Sequence, residues 1–327
     1  MTYTPITDRP VRWGILGCGK IARTVAGAIR AVDGAALTAV ASRSGAKARA
    51  FADETGAARW LEGYEALAAC EEIDIVYVAT PPSRHAADAL LCLNAGKHVM
   101  CEKPFALTAE EARAMVDGAQ RNGRFLMEAL WTRFLPAISK LETLLEDGMI
   151  GAPRMLVAGG AFRPDYDPAY YLHDPALGGG VMRDAGIYLL HAAHWLLGEP
   201  EKVLAASHTG VVGVDTQDAV LLRYPGGALS VLYVSMEARQ SPYLELLGES
   251  GSLKLAPPMF NPSALILVDA GGEAQSWSFK ADDSGYQHQI AEAVACLRAG
   301  RQQSALLSWD DSLAVMETLD RVMAIGR

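Results

Sequence analysis

The sequence predicts two domains: an α/β domain with a doubly wound parallel sheet, then an α+β domain with a largely antiparallel open sheet covered by helices. Three observations lead to this fold class. The chain has 327 residues, more than a single hydrophobic core usually supports. Up to residue 128, short apolar runs alternate with segments of helical spacing. After about residue 150, the apolar runs follow one another through short, turn-rich connections.

The first predicted domain spans residues 1–134. Its apolar, β-branched runs are residues 11–16, 37–41, 73–79, 97–100 and 124–127. The segments with helical spacing are residues 21–31, 46–54, 85–95 and 109–122. Strands separated by helices form a parallel sheet with helices on both faces. Thr108 before one helix, and Gly56 and Gly96 after two others, are typical helix caps.

The second predicted domain spans residues 135–327. Its predicted strands are residues 154–162, 202–209, 217–224, 229–236, 244–247, 252–255, 265–268 and 275–279. Connections as tight as residues 225–227 make antiparallel hairpins, because a parallel crossover needs about a dozen residues. The helical stretches 136–146, 184–197, 285–299 and 310–325 are expected to cover one face of this sheet.

The other face of the second sheet is expected to join copies of the chain. Apolar residues such as Val231, Tyr233 and Leu244 would line that face and favour a homo-oligomer. The sequence leaves a dimer and a tetramer as alternatives.

Composition and charge exclude several classes of function. Half of the residues are hydrophobic and 20% are charged, so the chain is not disordered. The formal net charge is -9 without a Lys/Arg cluster, so we expect no nucleic-acid partner. No apolar run reaches the roughly 20 residues of a membrane span, and residues 1–10 lack the core of a signal peptide. The five cysteines are scattered, so we expect a cytoplasmic protein without a disulfide or a metal site.

The first turn carries a dinucleotide-binding fingerprint. Residues 17–22 match the pattern G-x-G-x-x-A between a predicted strand and a predicted helix. The first glycine permits the tight turn, the second lets the backbone approach a pyrophosphate, and the alanine allows close packing of the helix. The N-terminus of the helix attracts the anion. The residues assigned to cofactor binding here are Gly17, Gly19, Lys20, Ile21 and Ala22.

The end of the second predicted strand indicates which dinucleotide is bound. NAD-binding folds usually place a carboxylate there to hold the ribose 2′-hydroxyl. This strand ends instead in Ser42 and Arg43, with Lys47 one turn later. Because a guanidinium pairs well with a 2′-phosphate, the sequence predicts NADP(H).

The strand at residues 97–100 leads to a lysine. Glu102 and Lys103 follow Cys101, and Pro104 ends the strand. A residue at the carboxyl end of a parallel strand faces the crevice in which open α/β sheets bind ligands. A lysine there can orient a substrate hydroxyl and, as a cation, lower the pKa of that hydroxyl.

Several blocks of sequence resemble the Gfo/Idh/MocA family of oxidoreductases. They are residues 95–104 (Ala-Gly-Lys-His-Val-Met-Cys-Glu-Lys-Pro), the glycines 178–180 with residues 184–188 and 195–198, and residues 127–134. The block at 127–134 resembles the branch that holds dimeric dihydrodiol dehydrogenases, D-xylose dehydrogenases and anhydrofructose reductases. The blocks occur in the family's order over nearly the whole chain, and the family's N-terminal Rossmann fold agrees with the predicted first domain.

The resemblance implies roles for individual residues. It makes Lys103, Asp184 and Tyr188 the catalytic residues, and Lys103 would contact both the nicotinamide ribose and the substrate hydroxyl. It adds to the cofactor site a further set of residues, Thr80, Pro81, His85, Glu102, Trp131 and Arg133.

Elementary chemistry makes the implied catalytic roles plausible. Asp184 and Tyr188 are four residues apart, so a helix presents them on one face. A phenol has a reference pKa of about 10 and needs a nearby cation, such as Lys103, to act as a base at neutral pH. Tyr188 would take the proton of a substrate hydroxyl while hydride passes to the nicotinamide.

The sequence leaves the substrate open. Phe162 precedes a loop rich in aromatic and polar residues, and His191 follows Tyr188 by one turn, so both are assigned to substrate binding. The other residues assigned to the substrate are Lys103, Asp184 and Tyr188. A sugar or related polyol is the first expectation, and a trans-dihydrodiol is the alternative. A non-catalytic NADP(H)-binding protein is the alternative of another class.

His191 and His194 lack a third metal ligand nearby.

Overall fold

The computed structural model describes residues 3–280 and 284–326. They form two compact units. The first lies within Met1–Trp131 and Tyr286–Leu313, and the second within Thr132–Gly285 and Ala314–Arg327. The predicted boundary after residue 134 stays a prediction. The ends of the two predicted domains at residues 1–2 and 327 lie outside the described residues. No helix among the described residues is long and apolar enough to cross a membrane.

The first unit begins with alternating strands and helices. The strands are Val11–Leu16 (β1), Ala35–Ser42 (β2), Arg59–Glu62 (β3), Ile75–Val78 (β4), His98–Cys101 (β5) and Leu126–Glu128 (β6). The helices are Lys20–Ala31 (α1), Gly45–Thr55 (α2), Tyr64–Ala68 (α3), His85–Asn94 (α4) and Ala109–Asn122 (α5). The strand order is β3-β2-β1-β4-β5-β6 and every pairing is parallel, which confirms the predicted doubly wound sheet.

The second unit is built on an eight-stranded sheet. Its strands are Pro153–Ala161 (β7), Lys202–Thr209 (β8), Asp215–Arg223 (β9), Leu229–Ser235 (β10), Gln240–Gly248 (β11), Gly251–Leu255 (β12), Ala264–Asp269 (β13) and Ala274–Ser278 (β14). The helices of the C-terminal half are Pro136–Glu146 (α6), Ile187–Leu197 (α7), Gln287–Arg298 (α8) and Trp309–Ile325 (α9).

The second sheet is antiparallel with one exception. Its order is β14-β13-β12-β11-β7-β10-β9-β8, and only β7 and β10 run parallel among the pairings of described residues. Helices α6 and α7 contact β13 and β7. All eight predicted strands are present, so the prediction of a largely antiparallel sheet with helices is confirmed.

Alternation along the strands separates the two faces of the second sheet. Val231 is exposed and Tyr233 is half-buried, as the sequence predicted. Leu244 is 1% exposed, so its predicted place on the open face is wrong. The reason is the two-residue period of β11, which turns Leu244 and Leu246 to the buried side and leaves Tyr243 and Glu245 half-buried.

The chain returns to the first unit after β14. Helix α8 contacts α1, whereas the sequence pattern placed this helix over the second sheet. The backbone N–H of Leu126 donates to Gln302 (3.0 Å), and the Trp309 indole N–H donates to the carbonyl of Leu126 (2.9 Å). The edge strand β6 is therefore completed by residues almost 180 positions later in the chain.

Two carboxylates are buried at the start of β9. Asp215 and Asp218 are 8% and 3% exposed, and the Ser207 hydroxyl donates to Asp218. The register between β8 and β9 shifts beside Asp215, and such a bulge lets residues three apart turn to the same side. Burial, and then the neighbouring Asp215, raise the pKa of Asp218 to about 7.

This pair predicts a pH-dependent stability. Native Asp218 keeps its proton up to about pH 7, whereas an unfolded aspartate loses it near pH 4. The contribution of protonated Asp218 to the free energy of unfolding is therefore complete below about pH 4 and is lost as the pH rises through 7. We expect Asp218→Asn to flatten the pH dependence of the free energy of unfolding between pH 5 and 8 by about 2 kcal/mol.

Urea unfolding at fixed pH values measures this difference. Glu199→Gln is the matched control, because Glu199 is an exposed acid of the same unit and its loss is expected to leave the profile unchanged. Parallel profiles for wild type and Asp218→Asn would contradict the prediction.

Candidate functional site

The turn after β1 is shaped by neighbouring backbone. Gly17 has φ +101°, and a Cβ on it would lie 2.7 Å from the carbonyl oxygen of Ala79. The Gly17 N–H donates to Ala41 (2.9 Å), at the end of β2. A Cβ on Gly19 would meet nothing within 4 Å, so this position opens onto free space. The glycines of the fingerprint therefore serve a tight turn and an open approach, as such loops require.

Helix α1 begins without a protein cap. Gly19 is its N-cap residue, no side chain accepts a hydrogen bond from the first turn, and that turn contains no acidic residue. Lys20 is exposed, Ile21 is half-buried and Ala22 is buried against the strand. The first N–H groups and the positive end of the helix dipole thus suit an anion.

The end of β2 presents cations to solvent. Ser42 is 7% exposed, and its hydroxyl accepts from the N–H of Ser44 (3.4 Å). Ser44 caps α2 by accepting from the N–H of Lys47 (3.4 Å). Arg43 and Lys47 are exposed at this edge. The arrangement leaves both charges available to a phosphate group.

The ends of β4 and β5 are joined through a histidine. His85 is 1% exposed, and its ring nitrogens lie 2.8 Å from the carbonyl oxygen of Pro104 and 2.9 Å from that of Thr80. Burial lowers the pKa of His85 more than these two hydrogen bonds raise it. The neutral ring donates to one carbonyl at a time. Its geometry fits a residue that fixes the two loops.

The side-chain hydroxyl of Thr80 is buried and has no hydrogen bond within the part of the chain that the structure describes. Pro81 follows Thr80 and is the N-cap residue of a short 3₁₀ turn, Pro82–Arg84. A buried hydroxyl without a partner is costly, and a bound polar ligand would satisfy it. The loop after β4 therefore fits a dinucleotide.

Hydrogen bonds of the buried Glu102 fix the backbone at Lys103. Glu102 is 6% exposed and accepts the hydroxyl of Tyr77 at one oxygen and the N–H of Lys103 (3.1 Å) at the other. The side chain of Lys103 is half-buried at the carboxyl end of β5. Glu102 therefore fixes the backbone of this loop, and Lys103 lies at the carboxyl edge of the first sheet.

Trp131 and Arg133 belong to different units. Trp131 is 8% exposed and stacks on Tyr286 of the same unit, with ring centroids 4.6 Å apart. Within the second unit, Arg133 pairs with Glu142 (2.5 Å) and lies over the ring of Trp195 (4.6 Å). The predicted nicotinamide contacts of Trp131 and Arg133 stay predictions.

The second unit carries the predicted acid and phenol. A π-helical turn, Met182–Gly186, leads into α7 and contains Asp184, while Tyr188 lies in the first turn of α7. The hydroxyl of Tyr171 donates to Asp184. Tyr188 is 8% exposed, and its ring packs on Phe260 with centroids 4.7 Å apart. Both side chains are thus held by neighbours that the sequence did not identify.

The start of this helix is anchored by Asp215. One oxygen of the buried carboxylate accepts the N–H of Met182 (2.7 Å). The other oxygen lies 2.1 Å from the place of a Cβ on Gly180, whose φ is +114°. Only glycine admits the carboxylate there. Asp215 is therefore a functional candidate that sequence reasoning missed, because it precedes the predicted strand 217–224 and its burial is visible only in the structure.

Phe162 and His191, two of the predicted substrate residues, lie in the second unit. Phe162 is half-buried, and its N–H donates to Ser235 (2.9 Å). His191 is 5% exposed and lies one turn after Tyr188. Within residues 3–280 and 284–326, no group of three His, Cys, Asp or Glu side chains could hold a metal ion. All five cysteines are free thiols.

Four adjacent strands thus deliver predicted residues to one edge of the first sheet. Gly17, Thr80 and Lys103 follow the carboxyl ends of β1, β4 and β5, Ser42 is the last residue of β2, and the strand order reverses at β1 and β4. Ligands of open α/β sheets bind at that reversal. The residues brought together in the second unit are Tyr171, Asp184, Tyr188 and Phe260, with Asp215 behind the helix start.

Comparisons with known proteins agree with this architecture. Residues 11–130 match the model of the oxidoreductase family with an NAD-binding Rossmann fold, and residues 138–254 match the GFO/IDH/MocA C-terminal domain. Trans-1,2-dihydrobenzene-1,2-diol dehydrogenase of Bos taurus is 31% identical over 328 residues, with 97% of each chain covered.

Two further proteins are similar over nearly the whole chain. D-xylose 1-dehydrogenase (NADP⁺) of Hypocrea jecorina is 31% identical, with 97% of this chain and 92% of that protein covered. The crystal structure of KijD10, a 3-ketoreductase from Actinomadura kijaniata in complex with NADP and TDP-benzene, superposes with a TM-score of 0.88 at 27% identity, over 97% of this chain and 98% of that one. The chain therefore belongs to the Gfo/Idh/MocA family of oxidoreductases.

Proposed function

We propose that the protein is an NADP-dependent oxidoreductase that oxidises a hydroxyl of a sugar or related polyol, or reduces the corresponding carbonyl. The observation that carries this proposal is that Lys103 and the glycine turn after β1 lie at the same carboxyl edge of the parallel sheet. The relatives named for a D-xylose dehydrogenase and a ketoreductase with bound NADP support it.

The first unit would hold the cofactor. Its pyrophosphate suits the uncapped start of α1 at Gly19, and Thr80 has a buried hydroxyl to offer a polar group. Arg43 and Lys47 would bind the 2′-phosphate. When bound, the nicotinamide accepts a hydride from the carbinol carbon or returns it to a carbonyl.

The protein's own residues would move the proton. Oxidation of the carbinol breaks its C–H bond, whose electron pair leaves with the hydride, and its O–H bond, whose proton passes to the Tyr188 oxygen. The ammonium of Lys103 would favour the phenolate form of Tyr188 and orient the hydroxyl. Asp184 would hold the same hydroxyl in line. In this proposal Lys103, Asp184 and Tyr188 act on one substrate oxygen.

The composition of the second unit favours a polyhydroxylated substrate. Phe162 and His191 are assigned to substrate contact, and Tyr171 already donates a hydrogen bond to Asp184. Aromatic faces with hydroxyl and carboxylate groups suit a sugar ring. A trans-dihydrodiol is the second candidate, because a relative of 31% identity is named for that activity.

A substrate panel tests the proposed reaction. We expect one or more aldoses or anhydrosugars to give an increase of NADPH absorbance with NADP⁺, and cyclic trans-diols to react more slowly. Faster turnover of the diols would replace the first candidate with the second. No substrate-dependent signal in either direction would favour a protein that only binds NADP(H).

Variants of the proposed catalytic residues test the mechanism on the best substrate of that panel. Lys103→Ala and Tyr188→Phe should each lower kcat by about 100-fold to 10,000-fold, because each removes a group that acts in proton transfer. Fluorescence titration should show NADPH binding largely intact in both variants. Wild-type turnover in either variant would overturn the role of that residue.

The preference for NADP(H) is tested at Arg43. We expect Arg43→Ser to weaken NADPH binding by about 10-fold to 100-fold and to leave NADH binding nearly unchanged, because only NADPH carries the 2′-phosphate. Arg49→Ser is the matched control, since Arg49 is exposed on α2 and its loss changes the net charge equally. Clearly tighter binding of NADH than NADPH by the wild-type protein would contradict the proposal.

We also propose a homo-oligomer formed through the open face of the second sheet. Leu204, Leu221 and Val231 are 47%, 36% and 38% exposed, and they are register partners across β8, β9 and β10. Such an apolar row is costly in water and is typical of an interface. Light scattering should give a dimer or tetramer for the wild type, and a smaller species for Leu221→Lys/Val231→Lys. A monomeric wild type would refute this proposal.

A further inference from the structure

A cavity lies at the amino end of the first sheet. Its volume is about 440 Å³, which is within the usual range for a small-molecule site. Its lining includes Tyr3, Arg9, Arg12, Asp74, His98 and Arg124. These residues precede or begin strands β1, β4, β5 and β6, whereas the proposed cofactor residues follow the strand ends. The cavity is therefore at the opposite end of the strands from the fingerprint.

One carboxylate in the cavity is shared by two guanidinium groups. Asp74 accepts both terminal nitrogens of Arg9 (2.5 and 2.9 Å), and it also accepts two side-chain nitrogens of Arg12 (3.2 and 2.8 Å). Burial alone would raise the pKa of Asp74, but these hydrogen bonds outweigh it and hold that pKa well below its usual range. Asp74 is thus fully ionised, and one positive charge of this trio remains.

Arg124 adds a charge that the protein does not balance. Its Nε is buried, and within the described residues its guanidinium has neither a hydrogen bond nor an ion pair. Its terminal nitrogen lies 3.4 Å from the place of a Cβ on Gly96. The remaining carboxylate of the lining is that of Glu71, which is exposed. A buried donor without an acceptor is unfavourable unless a ligand supplies one.

The wall beside Arg124 is neutral and aromatic. The ring of His98 packs edge-on against Tyr3 with centroids 4.2 Å apart, and its Nδ1 accepts the N–H of Phe125 (2.9 Å). Burial, and then the charge of Arg124, lower the pKa of His98 to about 3. His98 is therefore uncharged at neutral pH. The cavity combines an uncharged aromatic wall with three guanidinium groups, a set that suits an organic anion.

We propose that this cavity binds the carboxylate or phosphate group of a small metabolite, with Arg124 as its main contact and Arg9 and Arg12 as supporting cations. Guanidinium groups bind both kinds of oxyanion in the same forked geometry. Because the cavity and the fingerprint occupy opposite ends of the strands, this ligand and the dinucleotide bind at the same time.

Titration in saturating NADPH tests the site, because the cofactor then fills its own phosphate-binding positions. Thermal unfolding is followed with sodium phosphate or sodium malonate, and sodium chloride at matched ionic strength is the reference. We expect a saturable rise of Tm in the millimolar range with at least one of the two anions. A response to phosphate alone assigns a phosphorylated ligand, and a response to malonate alone assigns a carboxylate.

Variants connect the response to the cavity. Arg124→Gln should weaken the anion's apparent affinity at least tenfold, whereas Arg121→Gln, an equal change of charge on the exposed surface of α5, should not alter it. Arg124→Lys replaces Arg124→Gln if that variant does not fold, and should weaken binding several-fold through loss of the fork. An anion response no larger than that to chloride, or one unchanged by either Arg124 variant, would overturn the proposal.

Discussion

The closeness of three backbone segments at the end of β1 constrains the whole first unit. Gly17 donates to Ala41 at the end of β2, and the carbonyl of Ala79 after β4 occupies the space that a Cβ would need. A parallel sheet can bring the ends of β2, β1 and β4 this close only where the intervening turn has no side chain. The helix α1 that follows this turn starts without a side-chain cap or an acidic residue, so its first N–H groups are available to an anion.

In the second unit, a buried carboxylate fixes the turn that carries Asp184. Asp215 fills the space beside Gly180 and accepts the N–H of Met182, whereas the turn after β1 depends on space left free by glycine. A buried carboxylate is unfavourable without such partners, and the adjacent Asp218 responds by keeping its proton to a higher pH. The buried Asp215 therefore fixes where the turn at Met182–Gly186 begins.

The sequence predicted those features whose signals are local. Periodicity revealed the strands and helices of both sheets, and the fingerprint located the turn after β1. It did not predict β3 and α3, because Arg59–Glu62 is a short, largely exposed edge strand without an apolar run. It also missed the bond of Tyr171 to Asp184 and the packing of Phe260 on Tyr188, because side chains from irregular loops make these contacts and no periodicity reports them.

The return of the chain to the first unit has a consequence for synthesis on the ribosome. Helix α8 lies on α1, and Trp309 completes the edge of β6 through the carbonyl of Leu126. When residue 134 leaves the exit tunnel, the nucleotide-binding unit still lacks these partners and has an open strand edge. Its last stabilising pieces are translated only after the entire second sheet. The edge of β6 in the nascent first unit therefore stays open until the residues around Gln302 and Trp309 are translated.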